Sequence, residues 1–196
     1  MDNLIRRTTD LAMYMVRAYV KPGDTVIDAT CGNGQDTLAL AKLEPGKLYA
    51  FDVQPGAVSN TRKFLEENGY GRSLLDGRFT VEQLPHEELA RYFSTSCMQT
   101  QVKAIVFNLG YLPGGDKTLT TKTCSTLTAV RAAMDLLSKD GLICITMYSG
   151  HPEGREEKQA LLAFAQNLDS RLWHTAYISM PNQENDPPEI LLITRK

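Results

Sequence analysis

Residues 25–37 read TVIDATCGNGQDT, and the fold turns on this stretch. TVID is a short β-branched and apolar run ending on an acid, which is how a buried strand reads. It passes through a glycine-rich turn into a segment containing LALAKL, which reads as a helix starting near Gly34. Gly32 and Gly34 let the backbone approach a ligand closely, and the start of a helix offers unpaired N–H groups. A strand, such a turn and a helix in this order form the setting in which open α/β sheets bind nucleotide-like ligands.

Strand-like and helix-like segments alternate outward from this point. The first segment places Leu4, Leu11, Met15 and Ala18 at helical offsets, with Asp2 or Asn3 as its expected N-cap. After the 25–30 strand come KLYAFDV (47–53), RFTVE (78–82) and VKAIVFN (102–108) as strands two to four. A helix with Ala57, Thr61, Phe64 and Leu65 on one face separates the second and third strands and is expected to end at Gly69 or Gly71. QLPHEELARYF reads as a brief helix, and Leu127, Val130, Met134 and Leu137 mark a longer one. Asp140-Gly141 turns the chain into LICITMY (142–148), and a helix is expected across 154–168. LWHTAYISM and EILLITRK read as two strands joined by PNQENDPP, a helix-free connection that requires them to be antiparallel. The expectation is one α/β domain over 1–196, with a seven-stranded, mostly parallel sheet, the last strand antiparallel and helices on both faces.

Composition narrows the class. The chain has 196 residues, 42% hydrophobic and 22% charged, with no apolar run near the ~20 residues that span a bilayer. The N-terminus has no continuous apolar block, so no signal peptide, no membrane association and a cytoplasmic location are expected. Four cysteines without a C-x-x-C pair and three dispersed histidines predict neither a disulfide framework nor a metal site. Cys31 has no base beside it in sequence and reads as a packing residue of the turn. A net charge of −2 argues against a broad nucleic-acid surface, though local groups remain: Arg6, Arg7 and Arg17, Lys117 and Lys122, Arg155 and Lys158.

Two acids sharpen the ligand. Asp52 ends the second strand, where a ribose-binding carboxylate is expected. Asp28 ends the first strand, beside the turn where a dinucleotide would carry its pyrophosphate, and a carboxylate there repels phosphate. S-adenosylmethionine has no phosphate, and its ammonium and sulfonium are cationic. Thr37 also stands where the dinucleotide fingerprint has its third glycine. The alternative is that Asp28 merely caps a turn and Asp52 lies on the surface.

The string DATCGNGQDT resembles the first motif of class I methyltransferases of the Rossmann-like kind. Its variant form, with Thr30 in place of the first glycine and Asp36-Thr37 following, is similar to the MnmM (YtqB) family, long labelled rRNA methylases. FDVQPGAVSNT (51–61), PHEEL (85–89), FNLGYLPGGDK (107–117), MYSGHPEGREEK (147–158) and the ending NQENDPPEILLITRK extend the resemblance along nearly the whole chain. It implies methylation of the amino group of 5-aminomethyl-2-thiouridine at the tRNA wobble position, with the tRNA anticodon stem-loop as partner and a homodimer completing the RNA surface.

The expected cofactor cradle comprises Asp28, Thr30, Cys31, Gly32, Asn33, Gly34, Asp36 and Thr37, with Asp52, Val53 and Gln54 after the second strand. His86 is assigned to the cofactor pocket or to a structural use, ahead of a general-base role. Asn108, at the end of the fourth strand, offers a carbonyl that accepts an amine N–H without adding charge; otherwise it caps the strand end. Its segment partly resembles the N-P-P-Y motif of amino-methyltransferases but lacks both prolines. Tyr111 either lines the pocket or stacks on a base. Gly110, Asp116, His151 and Asn182 are expected on the substrate side. The competing readings are an rRNA or small-molecule amine methyltransferase, a dehydrogenase, and a cofactor-binding protein without catalysis.

Overall fold

A computed structural model describes residues 7–95, 101–110 and 121–196. TVID forms β1 (Thr25–Asp28), with three of its four residues buried. Among the described residues the α-helices and strands follow one another in the order α1 (Thr8–Tyr19), β1, α2 (Gln35–Ala41), β2 (Lys47–Asp52), α3 (Pro55–Leu65), α4 (Gly71–Leu75), β3 (Phe79–Gln83), α5 (Leu89–Thr95), β4 (Val102–Asn108), α6 (Thr123–Leu136), β5 (Leu137–Met147), α7 (Pro152–Gln166), β6 (Trp173–Ile178) and β7 (Glu189–Arg195). The strands lie in the order β3-β2-β1-β4-β5-β7-β6. Pairings among β1 to β5 are parallel, and both pairings of β7 are antiparallel. β7 is therefore the one reversed strand, as expected from its short link to β6.

Alternation along each strand divides the core into two layers. Ile27, Phe51, Ile105, Phe107 and Ile145 point to one face and pack against Leu89 and Phe93 of α5, Ala129 and Val130 of α6, and Leu161 of α7. Val26, Leu48, Ala50, Ala104 and Val106 point to the other, against Ala12 and Val16 of α1, Leu38 of α2 and Leu65 of α3. Each fully buried side chain of this size contributes roughly 1.5–3 kcal/mol. The chain runs outward from β1 through β2 to β3, then returns to the far side of β1 for β4. Connections thus diverge at the carboxyl ends of β1 and β4, which opens a crevice there.

Several details differ from the expectation. Asp2, Asn3 and Leu4 lie outside the described residues. α1 starts at Thr8 and buries Thr8, Ala12 and Val16, while Leu11 and Met15 flank that face and Ala18 is exposed. Small residues four apart let α1 lie close to β5, which periodicity among the larger side chains hid. After α3 the chain makes a wide turn over Glu66–Tyr70 broken at Gly69, whose φ is 92°, and adds the short α4. β5 begins at Leu137, earlier than expected. Leu137 pairs with Val102, and pairing resumes at Leu142 after an excursion through Asp140, whose φ is 56°.

Candidate functional site

The carboxyl ends of β1, β2 and β4 open into a cleft of about 1430 Å³. Its floor is the turn after β1. Gly32 N–H donates to Asp52 Oδ2 at 3.0 Å, and Gln54 N–H donates to Asp52 Oδ1 at 2.9 Å. Asp52 thus ties the β1 turn to the β2 turn, and each of its oxygens keeps a further lone pair for a hydroxyl donor. Thr30 Oγ1 accepts the Asn108 N–H at 2.7 Å, which ties the same turn to β4. Thr61 Oγ1 of α3 donates to Gly32 O at 2.9 Å. The turn is held from three sides by side chains whose own strands and helices are buried.

The structure separates the two glycines and the two acids of the motif. Gly32 lines the cleft, whereas Gly34 faces α3: a Cβ there would lie 3.1 Å from Thr61 Cα and 3.3 Å from Phe64 Cδ1, and its φ is +83°. Gly34 is required by backbone conformation and helix packing, and not by the approach of a ligand. Asp28 is 1% exposed and lies behind the turn. Its Oδ1 accepts the Thr30 N–H at 3.2 Å and its Oδ2 the Thr37 hydroxyl at 2.6 Å. Burial, then the nearby Asp36, push the Asp28 carboxyl up to about 7. Asp28 and Thr37 shape the turn from inside, and of the acids in the motif it is Asp36 that reaches the cleft.

Asp36 Oδ2 accepts Asn108 Nδ2–H at 3.2 Å, and burial raises its pKa against the pull of Asn108. Asn108 Oδ1 is buried with no hydrogen-bond partner among the described residues, so an acceptor waits at the end of β4. Tyr148, just beyond β5, lines the same corner, and burial raises its pKa. His86 sits 8% exposed at the start of a 3₁₀ turn, with a ring nitrogen 3.4 Å from Ser125 Oγ. Burial lowers its pKa, which favours neutral imidazole, a hydrogen-bonding and packing group. Burial also pushes the Cys31 thiol up, so Cys31 contributes an apolar surface and no nucleophile.

Of the sequence-assigned residues, Thr30, Cys31, Gly32, Asn33, Asp36, Asp52, Val53, Gln54, His86, Asn108 and Gly110 border one cleft. Tyr111 and Asp116 lie outside the described residues. Asn182 is exposed in the β6–β7 loop and does not line the cleft. His151 does not line it either; it caps α7, where its Nδ1 accepts the Gly154 N–H at 3.1 Å. Sequence reasoning named Arg7 and Arg17 as a local cationic group but did not place them, or Asp10, Met13 and Tyr14 of α1, at the cleft, and it missed Tyr148. No motif marked them; the signal lay in an aromatic and two arginines on the less buried side of a helix.

The donor set suits S-adenosylmethionine. Four carboxylate residues, Asp10, Asp36, Asp52 and Glu87, line the cleft, with Cys31, Val53 and Leu38 supplying apolar surface. Asp36 and the buried Asp28 oppose a pyrophosphate and favour a cationic, phosphate-free ligand. In such a complex Asp52 would hold ribose hydroxyls, Asp36 would face the ammonium or sulfonium, and Val53 and His86 would flank the base. Among the described residues no helix is long and apolar enough to cross a membrane, and no group of three or more His, Cys, Asp or Glu could hold a metal ion.

The chain is similar to several known proteins in sequence and fold. A family model described as "Putative rRNA methylase" matches residues 48–194. A protein of Arabidopsis thaliana named tRNA (mnm(5)s(2)U34)-methyltransferase, chloroplastic, is 33% identical over 198 residues, covering 97% of this chain and 70% of that protein. The crystal structure of a "putative rRNA-methylase" from Clostridium thermocellum superposes with a TM-score of 0.86 at 34% identity, covering 97% of this chain and 98% of that one. The crystal structure of "a putative methyltransferase" from Streptococcus mutans in complex with SAH superposes with a TM-score of 0.79 at 30% identity, covering 97% of this chain and 99% of that one.

Proposed function

Since the chain belongs to the rRNA methylase family and is an S-adenosylmethionine-dependent methyltransferase, we propose that it methylates the amino group of 5-aminomethyl-2-thiouridine at the wobble position of tRNA. The observation that carries this reading is the 33% identity to a protein named for that nucleoside over 97% of the chain. The cleft supports it in two ways. Asn108 Oδ1, buried and unpartnered, suits an aliphatic amine N–H. Tyr14, 49% exposed, and Arg17 of α1 line the cleft from one face of the sheet, and Lys122, just before α6, lines it from the other. An exposed aromatic beside cations matches an unstacked base and its phosphates.

S-adenosylmethionine supplies an electrophilic methyl group on a cationic sulfur. The residues must present a neutral amine to it, because an alkylammonium with a pKa of ~10 has no lone pair to offer. Enclosure between Tyr148 and Asn108 removes water from the amine and lowers its pKa. Asn108 Oδ1 accepts one N–H and so aims the lone pair. Asp36, its pKa raised by burial and its Oδ2 already on Asn108, is the proposed proton acceptor. Positioning of this kind supplies most of the rate in a direct displacement. The same reading includes a homodimer, supported by edge strand β6, where Tyr177 is 44% exposed, and by Leu172, 58% exposed, just before that strand; sedimentation as a monomer at micromolar concentration would remove it.

The test is incubation with labelled S-adenosylmethionine and tRNA lacking the terminal wobble methyl, followed by digestion and mass spectrometry of nucleosides. The 5-methylaminomethyl-2-thiouridine nucleoside is expected. Label appearing in rRNA or a small amine, with none in this tRNA, would overturn the acceptor assignment and leave the methyltransferase standing.

A further inference from the structure

Gly110 and Thr121, which flank residues outside the description, are joined twice. Thr121 N–H donates to Gly110 O at 3.2 Å, and Gly110 N–H donates to Thr121 Oγ1 at 3.1 Å. The Thr121 hydroxyl then donates to Glu157 Oε2 of α7 at 2.8 Å, and Thr126 Oγ1 donates to Glu157 Oε1 at 2.5 Å. Glu157 is 4% exposed, and no Lys or Arg pairs with it among the described residues. Burying a carboxylate without a cation is costly, so its retention calls for a reason.

Direction of hydrogen bonding supplies one. A carboxylate only accepts, so both threonine hydroxyls must donate to it. The lone pairs of Thr121 Oγ1 are thereby turned toward Gly110 N–H. A glutamine here would donate through its amide to one threonine and reverse half of the chain of bonds. The same helix holds the neighbouring wall. Arg155 Nη1 donates to Ser149 O at 3.3 Å, and a Cβ on Gly154 would lie 2.0 Å from Tyr148 O, so α7 sits directly under the Tyr148 backbone. Tyr148 Cβ in turn lies 3.6 Å from where a Cβ of Gly110 would stand. Both walls beside Asn108 therefore rest on α7.

We propose that Glu157 is a positioning residue for methyl transfer: it fixes the Gly110–Thr121 neck and through it the wall against which the acceptor docks beside Asn108. This rests on the reading of the Asn108 corner as the acceptor end. The experiment compares wild type with Glu157→Gln and Glu157→Ala in three measurements: amide hydrogen exchange at Gly110 and Thr121, S-adenosylmethionine affinity by calorimetry, and kcat and KM on tRNA lacking the wobble methyl. Protection at both amides should fall tenfold or more (about one hydrogen bond lost). Cofactor Kd should stay within about twofold, while kcat falls roughly tenfold in Glu157→Gln and roughly 100-fold in Glu157→Ala, the scale of an ångström's misplacement. Should the alanine variant fail to fold, the glutamine variant carries the test. Unchanged protection at Gly110 and Thr121 overturns the proposal, as does a loss of kcat matched by an equal loss of cofactor affinity. If wild type methylates no tRNA, the acceptor reading fails by itself, and exchange at the two amides still decides whether Glu157 holds the neck.

Discussion

Replacing Asp28 by asparagine should change how stability depends on pH. Asp28 is 1% exposed, accepts from Thr30 N–H and the Thr37 hydroxyl, and has its carboxyl pushed up to about 7 by burial, with Asp36 adding to it. In the unfolded chain its value is 3.8. Between these values the folded state holds more protons than the unfolded state, so stability falls as pH rises through the window and levels off above about 7. At about 1.4 kcal/mol per pH unit, the wild type should lose roughly 2 kcal/mol between pH 5.5 and 7 from this group. Asp28→Asn keeps the size, keeps an acceptor for one of the two donors and cannot titrate. Urea unfolding of both chains at pH 5.5, 6.5, 7.5 and 8.5 measures the difference directly, and subtraction removes Asp36, Glu157 and His86. The wild type should gain on the variant by about 2 kcal/mol on acidification from pH 7.5 to 5.5, with a constant difference above pH 8. A difference that stays constant across the whole range would show that Asp28 is ionised throughout and refute the burial argument.

Two further substitutions probe the turn. Gly34→Ala forces φ +83° on a residue with a Cβ and presses it within 3.1 Å of Thr61 Cα, so a loss of about 2–4 kcal/mol is expected in urea unfolding; a loss under about 0.5 kcal/mol would mean the packing is looser than the distances say. Thr30→Val removes the acceptor of the Asn108 N–H at 2.7 Å and should cost about 1–3 kcal/mol, with turnover falling more than cofactor affinity because Asn108 shifts; equal falls in both would place Thr30 on the cofactor side alone.

Much of the fold was legible because its carriers are local. TVID followed by a glycine-rich turn, and VKAIVFN as a continuous apolar run, specify buried parallel strands without knowledge of what they touch. The loop PNQENDPP, too short for a crossover, reversed β7. Asp52 and Asn108 could be found because a strand's last residue points into the crevice of such a sheet. Residues whose roles depend on what packs behind them were not legible. Gly34 is set by Thr61 and Phe64, twenty-seven and thirty positions away, and Asp28 faces inward because Thr37 and Thr30 claim both of its oxygens. His151 lies in a segment that suggested the rim, yet it caps α7, a use that any polar residue before a proline-started helix can have. The cleft wall of α1 was hidden because its burial face is built from Thr8, Ala12 and Val16, small residues that give a weak periodic signal.

The cradle is tested most directly by calorimetric titration of S-adenosylmethionine into wild type and Asp52→Ala. Asp52 joins Gly32 N–H to Gln54 N–H and faces the cleft, so its loss removes a ligand group and frees the turn together. The account predicts saturable binding by wild type, a loss of about 100-fold or more in the variant, and no heat with NAD, since two charge-assisted hydrogen bonds of about 1.5–3 kcal/mol each disappear. Equal affinity in the two chains, or binding of NAD in place of S-adenosylmethionine, would contradict it.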